Sequence, residues 1–378
     1  MHTEIIDRSD DFLALRDEWR ALLSASAQNH LHLTHEYLLA WWKHLSGTAS
    51  LRVILVRDGG DILAAAPMMI RRGTLLRWPV RRLEFVGAGW GYGGFILSTR
   101  KEECLQQIMG ALQKLRGWDI ISLGRMVADR DIDVSEVAAR IPYKSVVHEC
   151  IPAAVPYIPL EMTWDAYLAE RSPSFKRNLR NRSRKLNAIG QVRFQRITRL
   201  VEAGLNVTTL MTWLRTTAER SWKAGEHTAI SSNADVFAFY CELAERLNAI
   251  GCLDVSILWL DERPVAYIFG ASYNGEFFEI DIAFDAQLSK ASPGVYLRNC
   301  LLKELFEQNY RVYDFVAYFD YKKELTSHVR RHDVHVFYRR ALYPLMLRSL
   351  RSVVRRTMPR MMTDYSDLSW GRQADVGA

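Results

Sequence analysis

Acidic side chains on one short apolar segment are the clearest candidates for chemistry in this sequence of 378 residues. The segment FFEIDIAFD (277–285) alternates apolar and acidic residues, which is the period of a β-strand. Alternation predicts that Glu279, Asp281 and Asp285 project to one face and the apolar residues to the other. A carboxylate that faces a cleft can take a proton from an attacking amine or hydroxyl. We therefore expect Asp281, or alternatively Glu279, to act as a general base; the competing interpretation is a polar strand face in solvent.

The segment Ser289–Gly294 follows this strand and leads into a predicted helix. Ser292 is expected to be the N-cap, and Pro293 suits the first helical position. Gly294 would let an anion approach the backbone. Free N–H groups and the helix dipole favour a bound phosphate there, although a capped helix without a ligand has the same pattern.

A basic helix is predicted at 174–189. Lys176, Arg180 and Arg184 lie on one stripe, with Arg177 beside it. Such a stripe can gather an anionic substrate. A solvated helix between domains is the alternative.

The elements that would position these residues occur twice in similar order. Periodicity predicts, in the first half, helices at 10–24, 34–45 and 101–116, with strands at 51–57, 61–70, 83–86, 94–97 and 118–124. It predicts, in the second half, helices at 206–222, 234–249 and 293–308, with strands at 253–260, 264–273, 277–285 and 311–319. A repeat of this length indicates duplicated α/β domains, each a mixed sheet flanked by helices. We expect domains at 1–155 and 156–340, and a separate tail at 341–378.

Composition limits the class of protein. Hydrophobic residues make up 49% and charged residues 25% of the chain, as in globular proteins. No apolar run is long enough to span a membrane and the N-terminus does not look like a signal peptide, so a cytoplasmic location is expected. The five Cys form no CxxC pair. The His residues at 30, 32 and 35 and at 328, 332 and 335 do not have the pattern of a metal site, so we expect no metal.

The net charge of +7 is concentrated in one place. Seven Arg and no acid lie between Val336 and Arg360, so general affinity for nucleic acid is not expected. The predicted helix 342–358 has an apolar face of Leu342, Met346, Leu347, Leu350, Val353, Val354 and Met358. Its opposite face has Arg348, Arg351, Arg355 and Arg356. This pattern fits a helix that rests on anionic lipid, or one whose apolar face packs on the domain.

Together these segments resemble the tandem-domain acyltransferases of the GNAT superfamily. The closest group is the cellulose-biosynthesis acetyltransferase-like family, which is related to the peptidoglycan FemAB enzymes. The resemblance covers about 10–340 and depends on the order of LRVILVRDGGDILAAAPM, LEFVGAG, SPSFKRNLRNRSRKL, FDAQLSKASPG and DFVAYFDYKKEL. The family's acidic residue after the LEFVG-like segment is missing, because Gly91-Tyr92-Gly93-Gly94 stands there.

The resemblance implies a site that binds acyl-CoA between parting strands. The CoA pyrophosphate would rest on Ser292, Pro293, Gly294 and Val295, and the 3′-phosphate on Arg177 and Arg180. Tyr321 and Lys322 would lie near the cleft. There, a tyrosine can return a proton to the thiolate and a lysine can hold a phosphate or an acidic acceptor.

The implied reaction is acyl transfer from acyl-CoA to an amine or hydroxyl of a cell-envelope lipid or polysaccharide precursor. Three alternatives remain open: N-acylation of a long-chain sphingoid-type base, as by a bacterial ceramide synthase; FemAB-like transfer from aminoacyl-tRNA; and a non-catalytic subunit that binds glycan or lipid.

Overall fold

The computed structural model describes residues 1–126, 146–151, 154–225, 230–317, 324–332 and 334–357. The chain divides into two compact units. Unit 1 consists of Met1–Val155 together with Arg330–Ala378, and unit 2 consists of Pro156–Val329. The predicted second domain, 156–340, therefore ends too late: residues 330–340 belong to unit 1, because the strand they contain pairs there.

Unit 1 is a mixed sheet with helices packed on it. Its described helices are α1 (Ser9–Ala14), α2 (Arg16–Ser24), α3 (His35–Leu45) and α4 (Lys101–Lys114). Its strands are β1 (His2–Ile6), β2 (Ser50–Asp58), β3 (Asp61–Leu75), β4 (Trp78–Phe85), β5 (Ile96–Leu97), β6 (Ile120–Leu123) and β7 (Val146–Ile151).

Unit 2 repeats this architecture. Its described helices are α5 (Trp164–Ala169), α6 (Pro173–Asn187), α7 (Val207–Glu219), α8 (Ala234–Ala249) and α9 (Pro293–Glu307). Its strands are β8 (Ala154–Pro159), β9 (Val192–Ile197), β10 (Leu253–Leu260), β11 (Arg263–Tyr273), β12 (Glu276–Phe284), β13 (Val312–Asp314) and β14 (Val329–Arg331). The chain then forms β15 (Val334–Arg339) and α10 (Leu342–Thr357), both in unit 1.

The two sheets have equivalent strand orders. In the first sheet the order is β1-β2-β3-β4-β6-β15-β7, and in the second it is β9-β10-β11-β12-β13-β8-β14. β4 pairs in parallel with β6, and β12 pairs in parallel with β13. Helix α4 connects β4 to β6, and helix α9 connects β12 to β13 in the same way. The predicted duplication of a mixed α/β domain is thus confirmed.

The two units exchange a strand. After β7 the chain adds β8 to the second sheet, next to β13; after β14 it adds β15 to the first sheet, between β6 and β7. β15 pairs antiparallel with both of these neighbours. This exchange explains why 330–340 leave the domain in which sequence alone placed them.

Most element boundaries follow from local signals. Side-chain oxygens of Thr34, Ser172, Asn206 and Asn233 accept backbone hydrogen bonds at the start of α3, α6, α7 and α8. The predicted helix 10–24 is interrupted at Leu15. Of the predicted strand 311–319 only Val312–Asp314 is a strand, and 318–319 lie outside the described residues.

Candidate functional site

A β-bulge on β12 determines where its carboxylates point. Phe269 of β11 pairs with Asp281, but the next residue, Gly270, pairs with Glu279, so Ile280 has no partner in this register. An extra residue in a strand reverses the face of the residues after it. The prediction that Glu279 and Asp281 share a face is therefore wrong.

Asp281 lies between a lysine and a tyrosine. The ammonium of Lys223 donates to Oδ1 at 2.5 Å, and the Tyr267 hydroxyl donates to Oδ2 at 2.7 Å. Lys223 comes from a short 3-10 helix, Trp222–Gly225, that follows α7. Burial and the negative charge of Asp281 raise the pKa of Tyr267 well above 10. This tyrosine therefore stays protonated and serves as a donor to the carboxylate.

Glu279 has a different environment on the other face. Arg298 of α9 donates to both of its carboxylate oxygens, at 2.8 and 3.1 Å, and the Tyr313 hydroxyl donates at 2.5 Å. All three residues are buried. Burial and the Glu279 charge raise the pKa of Tyr313 well above 10. A carboxylate that accepts three hydrogen bonds is poorly placed to accept a proton. We therefore interpret Glu279 as a structural residue that joins β12 to α9.

Asp285, the third acidic residue, belongs to the backbone turn. Its Oδ1 accepts from the Gln287 amide at 3.0 Å, and its Oδ2 lies 3.1 Å from Arg263. These contacts hold Asp285 at the end of β12, apart from Lys223 and Tyr267, which bind Asp281.

The parallel strands part next to this cluster. Among the described residues, pairing of β12 with β13 stops at Phe278 and Asp314, whereas β12 continues beside β11 as far as Phe284. The chain turns after Asp314, whose Oδ1 accepts from the Val316 amide at 2.7 Å. The parted strands and the start of α9 therefore meet around the second half of β12.

The first turn of α9 differs from the predicted one. Ser292 has a left-handed backbone (φ 52°, ψ 57°), and its hydroxyl donates to the Ser289 carbonyl at 3.3 Å. Ser292 does occupy the predicted N-cap position, but its side chain makes no capping hydrogen bond; Pro293 occupies the first turn, as predicted. No side-chain cap of α9 is found in the part of the chain that the structure describes. Helix geometry leaves the Gly294 and Val295 amides without intrahelical partners.

Close packing also explains why position 294 is a glycine. A Cβ at this position would lie 3.0 Å from the Phe284 ring. The glycine thus lets the start of α9 pack closely on the end of β12. The suitability of this turn for a diphosphate stays a prediction.

Helix α6 presents a cationic surface. Arg177, Arg180 and Arg184 are exposed, and no carboxylate of the described chain lies within ion-pairing distance of them. Lys185 donates to the Lys290 carbonyl at 3.2 Å. This bond links α6 to the segment that leads into α9, so the cationic surface adjoins the parted strands.

Two predicted residues cannot be placed. Tyr321 and Lys322 lie outside the described residues, and their proposed roles stay predictions. Conversely, the sequence interpretation missed Lys223 and Tyr267. No local pattern in the sequence distinguishes either residue from the other lysines and tyrosines of the chain.

Among the residues that the structure describes, unit 1 shows no comparable opening at the equivalent position. The loop after β4 returns to β6 through a bridge between Gly93 and Met126. A Cβ on Gly91 would lie 2.0 Å from the His32 ring, and Tyr92 stacks on His332 at 4.5 Å. The chain's own rings fill this place, so the candidate site is the one in unit 2.

Two general observations concern the described residues. No group of three or more His, Cys, Asp or Glu among them is arranged to hold a metal ion. None of the helices found in them combines the length and the apolar character that crossing a bilayer demands.

Comparison with known proteins identifies the class of domain. Residues 173–323 match the family model of the acetyltransferase (GNAT) domain, a stretch that includes Lys223, Asp281 and the start of α9. Unit 2 therefore carries an acyltransferase-type domain, and the predicted resemblance to GNAT proteins is confirmed. Because unit 1 repeats the strand order of unit 2, the chain has two GNAT-like domains. No protein with a curated function matches the chain in sequence.

Solved structures share the fold over nearly the whole chain. FemX has a TM-score of 0.58 at 12% identity, covering 88% of this chain and 97% of FemX. The C-terminal domain of a putative lysylphosphatidylglycerol synthetase from Agrobacterium fabrum has a TM-score of 0.52 at 11% identity, covering 92% and 97%. L-PGS from Bacillus licheniformis has a TM-score of 0.51 at 12% identity, covering 90% and 96%. At these identities the similarity shows the fold alone.

Proposed function

We propose that this protein transfers an acyl group from acyl-CoA to an amine or hydroxyl of a cell-envelope lipid or polysaccharide precursor. The observation that carries the proposal is the Asp281–Lys223 pair beside the point where β12 and β13 part. A match to the GNAT domain family over the same residues supports it.

The donor would bind along α9 and α6. The amides of Gly294 and Val295 face the position where a diphosphate gains most from the helix dipole. Arg177 and Arg180 supply cations for the 3′-phosphate. Arg177 and Arg180 are exposed, whereas Val295 is partly exposed and Gly294 is buried. The Lys185–Lys290 bond joins the elements that carry them.

Acyl transfer requires that one proton be removed from the acceptor and that one be delivered to the leaving CoA thiolate. The acceptor nitrogen attacks the thioester carbon and loses a proton to Asp281, while the Lys223 ammonium stabilises the oxyanion. The C–S bond then breaks, and Lys223 gives a proton to the CoA thiolate. Because their atoms lie 2.5 Å apart, the proton on Asp281 can return to Lys223 and restore both groups.

The acceptor is proposed to be partly apolar. Trp222, next to Lys223, is 45% exposed, which is unusual for so large a ring. An exposed indole beside the reacting groups suits an alkyl chain, so a long-chain amine of the sphingoid type is the specific acceptor we favour. The inner membrane surface is where such an acceptor would be met.

Calorimetric titration with CoA tests the donor. We expect one site per chain, and weaker binding by about tenfold or more for R177A/R180A, because this double variant removes the cations proposed to contact the 3′-phosphate. The matched control is R199A, which removes an exposed arginine of the loop after β9. Binding of aminoacyl-tRNA without CoA binding would instead favour a FemAB-like enzyme. Binding of neither, with retention of lipid or glycan, would favour a non-catalytic subunit.

A further inference from the structure

The last described helix of unit 1, α10, carries an exposed apolar stripe. Leu342, Met346 and Val353 are 89%, 41% and 56% exposed. At 3.6 residues per turn these three side chains fall within about 40° of one another around the helix. They lie on one side of α10, with the exposed Ser349 between Met346 and Val353, and we call these three residues the apolar stripe.

The opposite side of α10 packs on unit 1. Pro344 and Leu347 are buried, and Leu347 belongs to the core cluster that includes Val336 and Tyr338 of β15. Arg351 is only 3% exposed, and its guanidinium donates to Glu149 at 3.0 Å. The sequence analysis grouped Leu347 with Leu342 and Met346 on one apolar face, and Arg351 with Arg355 and Arg356 on the opposite one. The structure instead buries Leu347 and Arg351 together on the side that packs on unit 1. The apolar stripe therefore points away from the unit.

One cation borders the apolar stripe. Arg356 is exposed and lies about 40° from Leu342 around the helix, whereas Arg355, also exposed, lies on the opposite side. Within the described chain, Arg356 does not lie within ion-pairing distance of a carboxylate. Arg348 and Arg351 are already paired with Glu149. The outward face thus combines apolar side chains with the uncompensated charge of Arg356.

We propose that α10 docks on an anionic lipid surface, with the apolar stripe in the acyl-chain boundary and Arg356 against a lipid phosphate. Charge complementarity favours an anionic bilayer over a second copy of the chain as the partner of α10. A second copy of the chain would bring identical arginines together across a twofold interface, which costs free energy. An anionic bilayer satisfies both Arg356 and the stripe.

Vesicle flotation of the full-length chain tests this docking. We expect binding to phosphatidylcholine vesicles that contain phosphatidylglycerol, weak binding to phosphatidylcholine alone, and loss of binding at high salt. R356A should lower the partition coefficient about fivefold, since a basic residue near the surface contributes about 1 kcal/mol. R355A removes the same charge from the opposite side of α10 and should lower it less. M346E/V353E should lower it at least as much as R356A.

Two matched controls separate insertion from a change of net charge. S352E adds a carboxylate to another face of α10, and V201E makes the same substitution at an exposed valine of unit 2. Both should bind vesicles more tightly than V353E. No binding of the unaltered chain, equal loss with S352E and V353E, or a dimer that M346E dissociates would each overturn the proposal. It does not depend on acyl transfer, so CoA binding is expected to be unchanged in all these variants.

Discussion

The side-chain nitrogen of Lys223 lies 2.5 Å from Oδ1 of Asp281, although the two residues are 58 positions apart in the chain. The side chains of Lys223 and Asp281 are 12% and 5% exposed. The second oxygen of Asp281 accepts from Tyr267. An ion pair of this kind, near parted strands and beside an exposed tryptophan, can move a proton without solvent.

Removing either member of this pair should stop the chemical step. We expect D281N and K223M to lower kcat by about 10²–10³-fold, because each deletes a proton-transfer or oxyanion-stabilising group. The KM for the donor should change little. Release of free thiol from acyl-CoA measures the rate. K303M, which changes an exposed lysine of α9, should be as active as the unaltered enzyme, and wild-type rates for D281N and K223M would contradict the proposed roles.

The bulge itself can be tested. Deletion of Ile280 makes Glu279 and Asp281 neighbours, and neighbouring residues of a regular strand face opposite sides. Both carboxylates should therefore keep their partners, and the deletion should retain activity within about tenfold, as should I280A, which keeps the residue count. Loss of activity in the deletion but not in I280A would show that the strand needs its extra residue.

The Arg298–Glu279 pair should govern the stability of unit 2. R298M leaves a buried carboxylate without its main partner, so we expect the free energy of unfolding to fall by about 3–5 kcal/mol. The double variant E279L/R298M removes both charges and should recover much of this loss. Urea denaturation measures the free energy of unfolding of each variant. Equal stability of R298M and the unaltered protein would mean that the pair is not coupled to folding.

His32 should make the stability of unit 1 sensitive to acid. Burial, followed by the charges of Arg125 and His332, lowers its pKa from 6.5 to about 3. Because the unfolded chain takes up this proton near pH 6.5 and the native protein does not, stability falls as the pH drops from 6.5 toward 3. The free energy of unfolding falls by about 1.4 kcal/mol for each pH unit in this range.

Denaturation of H32Q at several pH values between 7 and 4.5 checks this contribution. The variant should show a shallower pH dependence than the unaltered protein, whereas H2Q, at an exposed histidine, should not. An equal pH dependence of the free energy of unfolding for H32Q and the unaltered protein would contradict this role of His32.

Local patterns predicted the elements well. Apolar periodicity and the cap residues at Thr34, Asn206 and Asn233 determine where helices begin, because both act within a few residues. The duplication followed from the same patterns. The fold class therefore needed no tertiary information.

The site depended on interactions that periodicity does not report. Glu279 and Asp281 occupy alternate positions in the sequence whether or not Ile280 bulges, so the reversal is visible only in the pairing with β11. Lys223 reaches Asp281 only after α7 has packed on the sheet. The apolar stripe likewise depends on which side of α10 the fold covers, which the helical pattern alone does not specify.

The exchanged strand has a consequence for how this protein is made. β15 fills the space between β6 and β7, yet it is synthesised after the whole of unit 2. The first half emerging from a ribosome must therefore wait, with a gap in its sheet, until residue 339 has appeared. We expect the N-terminal half to be retained by chaperones or cleaved by proteases when translation stops early, and a co-expressed peptide that contains β15 to rescue it.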